Sequence, residues 1–244
     1  MSDTLLFAKF TDPDVTAKGE ERASVPLRHL DTLWLNTGTL CNIECAHCYI
    51  ESSPTNDRLV YLSAAEVEPY LDEAKALGTR EIGITGGEPF LNPDILEICE
   101  MALTRGFELL VLTNAMKPMM RPRIQAGLID LQARFGGRLT IRVSLDHYAC
   151  ERHEEERGPG TYQPTVDGLV WLARHGFRLA VAGRTMWHED EEEARAGFAD
   201  LFARLEIPVD AGDPSALVLF PEMDAAGDPP EITTACWDIL GKSP

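Results

Sequence analysis

The sequence predicts an α/β protein, a parallel sheet flanked by helices, and three observations carry that expectation. Six short segments of strand character, near residues 31–36, 80–85, 107–113, 138–145, 177–184 and 215–221, alternate with segments of helical periodicity, which is the pattern of repeated βα units. The chain has 244 residues, enough for one sizeable core and a length at which α/β barrels often form a single domain. The segment 138–145 alternates: Leu139, Ile141, Val143 and Leu145 share one face, while Thr140, Arg142 and Ser144 share the other and Asp146 continues it. A barrel interior filled for structure alone is built of Val, Ile and Leu. A polar inner face implies a polar occupant.

Taken in order, residues 1–30 carry mixed charge, two prolines and no sustained period, and read as an extension outside the domain. The first strand starts at Asp31. Ser63-Ala64-Ala65-Glu66 is a capping box, followed by apolar Val67, Leu71 and Ala74 and a stop at Gly78; Pro69 within it should bend that helix or delay its start. Asn92-Pro93 reads as an N-cap with proline at the first helical position, and Gly106 closes that helix. Asn114 ends the third strand, where it either lines a pocket or caps the strand. From Glu189 acids gather at a helix start, where the helix dipole favours them, and Phe198, Leu201, Phe202 and Leu205 form the apolar stripe that follows. The barrel segment spans 31–221, and 222–244 is a short tail.

Composition narrows the function classes. The hydrophobic share of 44% and charged share of 25% are those of an ordinary globular protein. A net charge of −18, from 22 basic and 40 acidic residues, speaks against nucleic acid as the main partner, because phosphate contacts need clustered Lys and Arg. No apolar run approaches the ~18 to 20 residues of a membrane span, and the N-terminus lacks the basic and apolar regions of a secretory signal. Six cysteines without an export signal favour metal binding in a reducing compartment over disulfides, so the chain reads as cytoplasmic.

Three of those cysteines, Cys41, Cys45 and Cys48, fall within eight residues as C-x3-C-x2-C, and no fourth follows until Cys99. Thiolates at this spacing select zinc, copper(I) or iron–sulfur clusters. A closed structural zinc site wants four protein ligands. Three thiolates on a [4Fe–4S] cluster leave one iron open to a small molecule. The second strand then ends in Thr85-Gly86-Gly87-Glu88-Pro89: paired glycines let the backbone approach a ligand closely, and Glu88 offers a carboxylate at the C-terminal mouth of the strands. Alone, such a turn is ordinary.

Together, the cysteine spacing and the GGEP about forty residues later resemble the radical S-adenosylmethionine (SAM) superfamily. The resemblance implies a partial (β/α)6 TIM-type barrel and a [4Fe–4S] cluster on Cys41, Cys45 and Cys48. It implies reductive cleavage of SAM to a 5′-deoxyadenosyl radical that abstracts hydrogen from an unknown peptide or small-molecule substrate, with electrons from a reductant such as flavodoxin or ferredoxin. By the same resemblance His47 replaces the usual aromatic residue before the last cysteine, and Asn42 and Tyr49 stand where relatives carry them. Gly86, Gly87, Glu88 and Pro89 would bind the SAM amino group, Ser144 would meet the ribose, and Asp146 would lie close by. An arginine fork at Arg184 suits the SAM carboxylate, and an ion pair with a barrel glutamate suits it equally. Residues 217–221 would form an apolar wall for adenine. His153 and Arg157-Gly158-x-Gly160 resemble the family's loop into the fourth helix, whereas Glu154-Glu155-Glu156 and His147 depart from its pattern.

Cys99 reads as core, Cys150 as a thiol in a polar loop on the substrate side, and Cys236 as either a small buried residue or a ligand of a second site lost by truncation. A rival reading is a non-catalytic metal-binding or redox-carrier module, its three-cysteine site completed by His47 or a fourth residue. It leaves GGEP and the polar fourth strand as accidents. A third is a truncated relative that binds SAM without turnover.

Overall fold

A computed structural model describes residues 8–221 and 227–242. Six parallel strands form one curled sheet in chain order: β1 (Thr32–Asn36), β2 (Glu81–Thr85), β3 (Glu108–Thr113), β4 (Leu139–Ser144), β5 (Arg178–Thr185) and β6 (Leu217–Pro221). All five pairings are parallel, and each expected strand is present within two residues of its predicted ends. Helices α1 (Ala64–Ala76), α2 (Ile95–Thr104), α3 (Pro122–Phe135), α4 (Cys150–Arg157), α5 (Tyr162–Arg174) and α6 (Glu191–Leu205) make the crossovers. This is the partial TIM-type half-barrel. Among the described residues no helix is long and apolar enough to cross a membrane.

The alternation in β4 explains where the core lies. Leu139, Ile141, Val143 and Leu145 are wholly buried and pack with Ile82, Ile84, Val111 and Val181 against the helices. Thr140, Arg142 and Ser144 are only partly covered on the inner face. That polar face serves two ends. Thr140 and Arg142 line a cavity of about 250 Å³ with Glu81, Arg178 and Asp213, at the N-terminal ends of the strands. Ser144 and Asp146 lie at the C-terminal ends, where the thiols are.

Ser63 and Glu66 form the expected capping box, and α1 runs through Pro69 without interruption. Proline there faces outward, so the carbonyl it leaves without a helical donor can be met by water. Residue Asn92 is not the cap of α2, which begins at Ile95. Its Oδ1 accepts from Asp94 N at 2.8 Å, and its buried Nδ2 donates to Thr37 O and Leu62 O, so the side chain knots three segments together instead. Gly106 closes α2 with φ +90°, as expected. On α6, Asp190 caps with Glu193 in a second capping box, and Ala194, Phe198, Leu201 and Phe202 are buried.

The described residues 8–28 and 227–242 form a compact unit of their own. Arg22 and Thr233 make an antiparallel bridge, Ala23 N donates to Ile232 O at 3.0 Å, and Arg22 pairs with Glu231. A short helix, α7 (Ala235–Leu240), carries Cys236, whose Sγ lies 3.7 Å from Thr233 Oγ1. Of the expected extension and tail, residues 1–7, 222–226 and 243–244 lie outside the described residues.

Candidate SAM and iron–sulfur site

The chain leaves β1 through Thr37, whose N–H bonds Thr85 O, and then runs as a long loop over the C-terminal ends of β1 and β2. Leu40 bridges Ser53, and Cys41 N donates to Ser53 O at 3.0 Å, closing the base of the loop that carries the cysteines. Within it Cys48 N bonds Cys45 O, a turn between the last two thiols, and Glu51 N bonds Cys48 O in a second turn just after them. Cys41 is buried, Cys45 and Cys48 are half-buried, and all three are free thiols.

Donors already face the sulfurs. Ser52 N points at Cys48 Sγ at 3.2 Å, Asn114 Nδ2 at Cys41 Sγ at 3.8 Å, and the Ile43 N–H bonds Cys41. Burial pushes the Cys41 thiol up to about 11 and raises Cys45 too, with the Arg157 cation pulling the latter back. Buried thiols stay protonated until a cation displaces the proton, which is how soft metal sites load. Among the described residues no three His, Cys, Asp or Glu side chains converge on the position of one metal ion. Three free thiols on one loop, with N–H groups directed at two of the sulfurs, fit an iron–sulfur cluster, whose thiolates accept such bonds.

The GGEP turn is the other half of the same construction. Gly87 N donates to Gly38 O at 2.8 Å and Glu88 N to Leu40 O at 3.0 Å, so the turn is stitched to the base of the cysteine loop. A Cβ on Gly87 would lie 2.2 Å from Leu40 O, and one on Gly86, at φ +144°, 2.7 Å from Gly38 O. The close approach these glycines permit is thus to the loop's own backbone. Pro89 opens a 3₁₀ turn, Pro89–Leu91, that Glu88 caps.

Glu88 itself is buried. Its carboxylate accepts from Phe90 N, Thr113 Oγ1 and Asn114 N at 2.9 to 3.1 Å. Burial pushes its pKa up to about 7 even though all three donors pull it down. Two carboxylate oxygens have about four acceptor sites, so the three donors leave room for one more.

At the ends of β4 and β5 the polar residues form a connected cluster. Asp146 is buried and held by Arg157 through both oxygens, at 2.5 and 3.1 Å. Arg184 reaches Asp146 Oδ1 and Glu156 Oε1, each at 3.5 Å, and His47 O at 3.4 Å. The Arg184 ion pair is therefore with Asp146 of β4's end and with Glu156 of a helix. Burial works against the charge on Arg157, and Asp146, Cys45 and Glu156 together outweigh it, holding the guanidinium more firmly protonated than usual. His47 Nδ1 lies 2.7 Å from Glu156 Oε2. Ser144 sits partly covered beside Ala182, its register partner on β5.

Sequence reasoning named several of these groups without their partners. Asn114 ties β3 to the cysteine loop, donating to Asn42 Oδ1 at 2.9 Å as well as facing Cys41. Arg157 was legible only as part of RGxG, and Glu156 only as one of three acids. His147 is buried, accepts from Ala149 N at Nδ1, and so donates from Nε2 to Glu189 at 2.6 Å, fixing the turn after Asp146. His153 accepts from Asp146 N, and burial lowers its pKa to about 4, so it is neutral. Cys150 is the first residue of α4 rather than part of a loop, Cys99 is core as expected, and Tyr49 is exposed.

The Radical SAM superfamily model matches residues 35–202. The subtilosin biosynthesis protein AlbA of Bacillus subtilis is 30% identical over 165 residues, covering 64% of this chain and 34% of that protein. A GTP 3′,8-cyclase of Pseudomonas putida is 28% identical over 152 residues, covering 62% and 43%. The chain thus spans less than half the length of these curated relatives. Among solved structures, Streptococcus suis SuiB bound to S-adenosylmethionine shares the fold with a TM-score of 0.64 at 17% identity, over 87% of this chain and 46% of that one. The family model covers more than half of the sequence, and the thiol loop and GGEP turn lie within it: the chain belongs to the radical SAM superfamily.

Proposed function

We propose that this chain is the catalytic barrel of an enzyme that cleaves SAM reductively and directs the resulting radical at a C–H bond of a peptide. The observation that carries the reading is the joining of the cysteine loop to the GGEP turn by Gly87 N–Gly38 O and Glu88 N–Leu40 O, which ties the proposed cluster ligands and the proposed SAM motif into one backbone unit. Cys41, Cys45 and Cys48 would hold a [4Fe–4S] cluster, which supplies the electron that breaks the SAM carbon–sulfur bond. Beside it, the GGEP backbone and the remaining acceptor site of Glu88 would take the SAM amino group. Arg184, a quarter exposed, would meet the carboxylate, and Ser144 the ribose. Asp146 and His47 would frame the pocket rather than bind tightly, since the first is occupied by Arg157 and the second by Glu156.

The peptide substrate is supported by the names of relatives. AlbA is a bacteriocin biosynthesis protein, and SuiB has been solved with its precursor peptide SuiA. The electron donor would be a flavodoxin or ferredoxin. The test is anaerobic reconstitution with iron and sulfide, then incubation with SAM and dithionite, assaying 5′-deoxyadenosine. Nucleoside formation supports the reading. Retained zinc, with no cluster formed, overturns it.

A further inference from the structure

We infer that Glu156 is a positioning residue that holds the cysteine loop in its working shape, a role that rests on the proposed reading only in what the loop then binds. Its side chain is fully buried at the last turn of α4, yet Ala46 and His47, which it bonds, lie more than a hundred residues away. Oε1 accepts from His47 N at 3.1 Å, Oε2 from His47 Nδ1 at 2.7 Å, and its own carbonyl from Ala46 N at 2.8 Å. Because a carboxylate only accepts, Nδ1 carries the proton in this pair.

Three bonds therefore run from one residue to the two residues that separate Cys45 from Cys48. Arg184 completes the grip by donating to His47 O at 3.4 Å while facing Glu156 Oε1 at 3.5 Å. Residue 47 is held at its amide, its carbonyl and its ring.

The choice of residue follows from the bonds required. A buried carboxylate is costly unless its acceptor sites are filled and a cation lies close. Here His47 supplies two donors and Arg184 the cation. Glutamine could bond both groups only with the ring in its other tautomer, its Oε1 accepting from the amide and its Nε2 donating to Nδ1, and it would leave Arg184 facing no charge here. The neighbouring acids have other work: Glu154 accepts from Tyr162 N, and exposed Glu155 takes Arg152 and Trp187 Nε1. Glu156 is thus the member of the tract turned toward the thiols. The consequence is a loop ordered by protein contacts before any metal arrives, so that loading need not fold it.

The experiment uses amide hydrogen exchange on the metal-free protein, followed by iron loading, for wild type, Glu156→Ala, Glu156→Gln and His47→Phe. Slow exchange at His47 is expected in wild type, about tenfold faster in Glu156→Ala, which removes the amide's acceptor together with the ring bond, and intermediate in Glu156→Gln, which keeps the amide acceptor. Iron per chain after limited reconstitution should fall in the same order. His47→Phe, which removes the ring bond to Glu156 and keeps the amide bond, should also lie between wild type and Glu156→Ala. If exchange at His47 in Glu156→Ala stays within twofold of wild type, the clamp does not exist. A loosened loop that still loads iron at the wild-type rate overturns the preorganising role. Exchange is read without metal, so a wild type that takes up no cluster sinks the proposed function while leaving the clamp measured.

Discussion

Substituting Gly87 by alanine tests the junction on which the whole site depends. The new Cβ would lie 2.2 Å from Leu40 O, 2.6 Å from Leu40 C and 2.8 Å from Thr39 O, all of them backbone atoms that no side-chain rotation can move aside. A carbon and a carbonyl oxygen are comfortable from about 3.3 Å, so the two segments must part by about 1 Å. That displacement stretches the Glu88 N–Leu40 O bond from 3.0 Å to beyond hydrogen-bonding range, and it pulls on Cys41, the next residue. One lost backbone bond costs about 1 kcal/mol and an overpacked contact a further ~1 to 3 kcal/mol, so the expected destabilisation is about 2 to 4 kcal/mol. The assay is denaturant unfolding of the metal-free protein, then iron and sulfide content after anaerobic reconstitution. Gly137→Ala serves as the control, because its Cβ would meet nothing within 4 Å and its φ is not positive. Stability and iron content in Gly87→Ala equal to those of the control would refute the argument that the glycines serve the approach of the two segments.

Other outcomes follow from the same geometry. Cys45→Ala should abolish cluster assembly, and a variant with wild-type iron content and activity would remove Cys45 from the ligand set. Glu88 has its folded pKa raised from 4.5 to about 7 by burial, so it favours the fold below about pH 4.5 and that contribution is lost as pH rises to about 7. The move corresponds to about 3 kcal/mol at most. Stability of Glu88→Gln relative to wild type should therefore rise across that window, apart from a constant offset for its mismatched donors; a flat difference would show that Glu88 is ionised throughout. Ser63→Ala should cost about 1 kcal/mol in unfolding free energy through loss of the α1 cap, without changing iron content.

The barrel was legible because each strand announces itself locally. The alternation in Leu139–Leu145, the cap at Ser63 and the acids gathered at the start of α6 are short-range signals that the fold preserved. The thiol spacing and GGEP were legible for the same reason. What the glycines approach was not, since Gly38 and Leu40 lie more than forty residues away and only the β1–β2 pairing brings them there. Helix α4 hid its role differently. Its sequence, CERHEEER, has no apolar stripe, so periodicity cannot say which acid faces inward. Glu156 is buried because the cysteine loop and Arg184 close over it. Asn92 misled in a smaller way: its Oδ1 does accept from Asp94 N as a cap would, but that bond closes a turn and the helix begins only at Ile95.

The two arginines facing Asp146 separate stability from binding. Arg157 holds both oxygens, at 2.5 and 3.1 Å, and is itself largely buried, whereas Arg184 touches Asp146 and Glu156 only at 3.5 Å and remains a quarter exposed. Breaking a buried pair by removing one partner costs about 3 to 5 kcal/mol, because the other charge stays behind unpaired. Arg157→Met should approach that loss, with Arg184 recovering part of it. Arg184→Ala leaves Asp146 paired with Arg157 and Glu156 with its two His47 donors but without its cation, so it should cost about 1 to 2 kcal/mol, less than Arg157→Met. If Arg184 meets the SAM carboxylate, the same variant should weaken SAM binding by about 10- to 100-fold, the value of a charge-assisted bond. Unfolding curves of the metal-free variants and SAM titration of the reconstituted ones separate the two effects. Equal losses of stability would mean that Arg184 is a second structural counter-ion, and undiminished SAM affinity in Arg184→Ala would remove it from the SAM site.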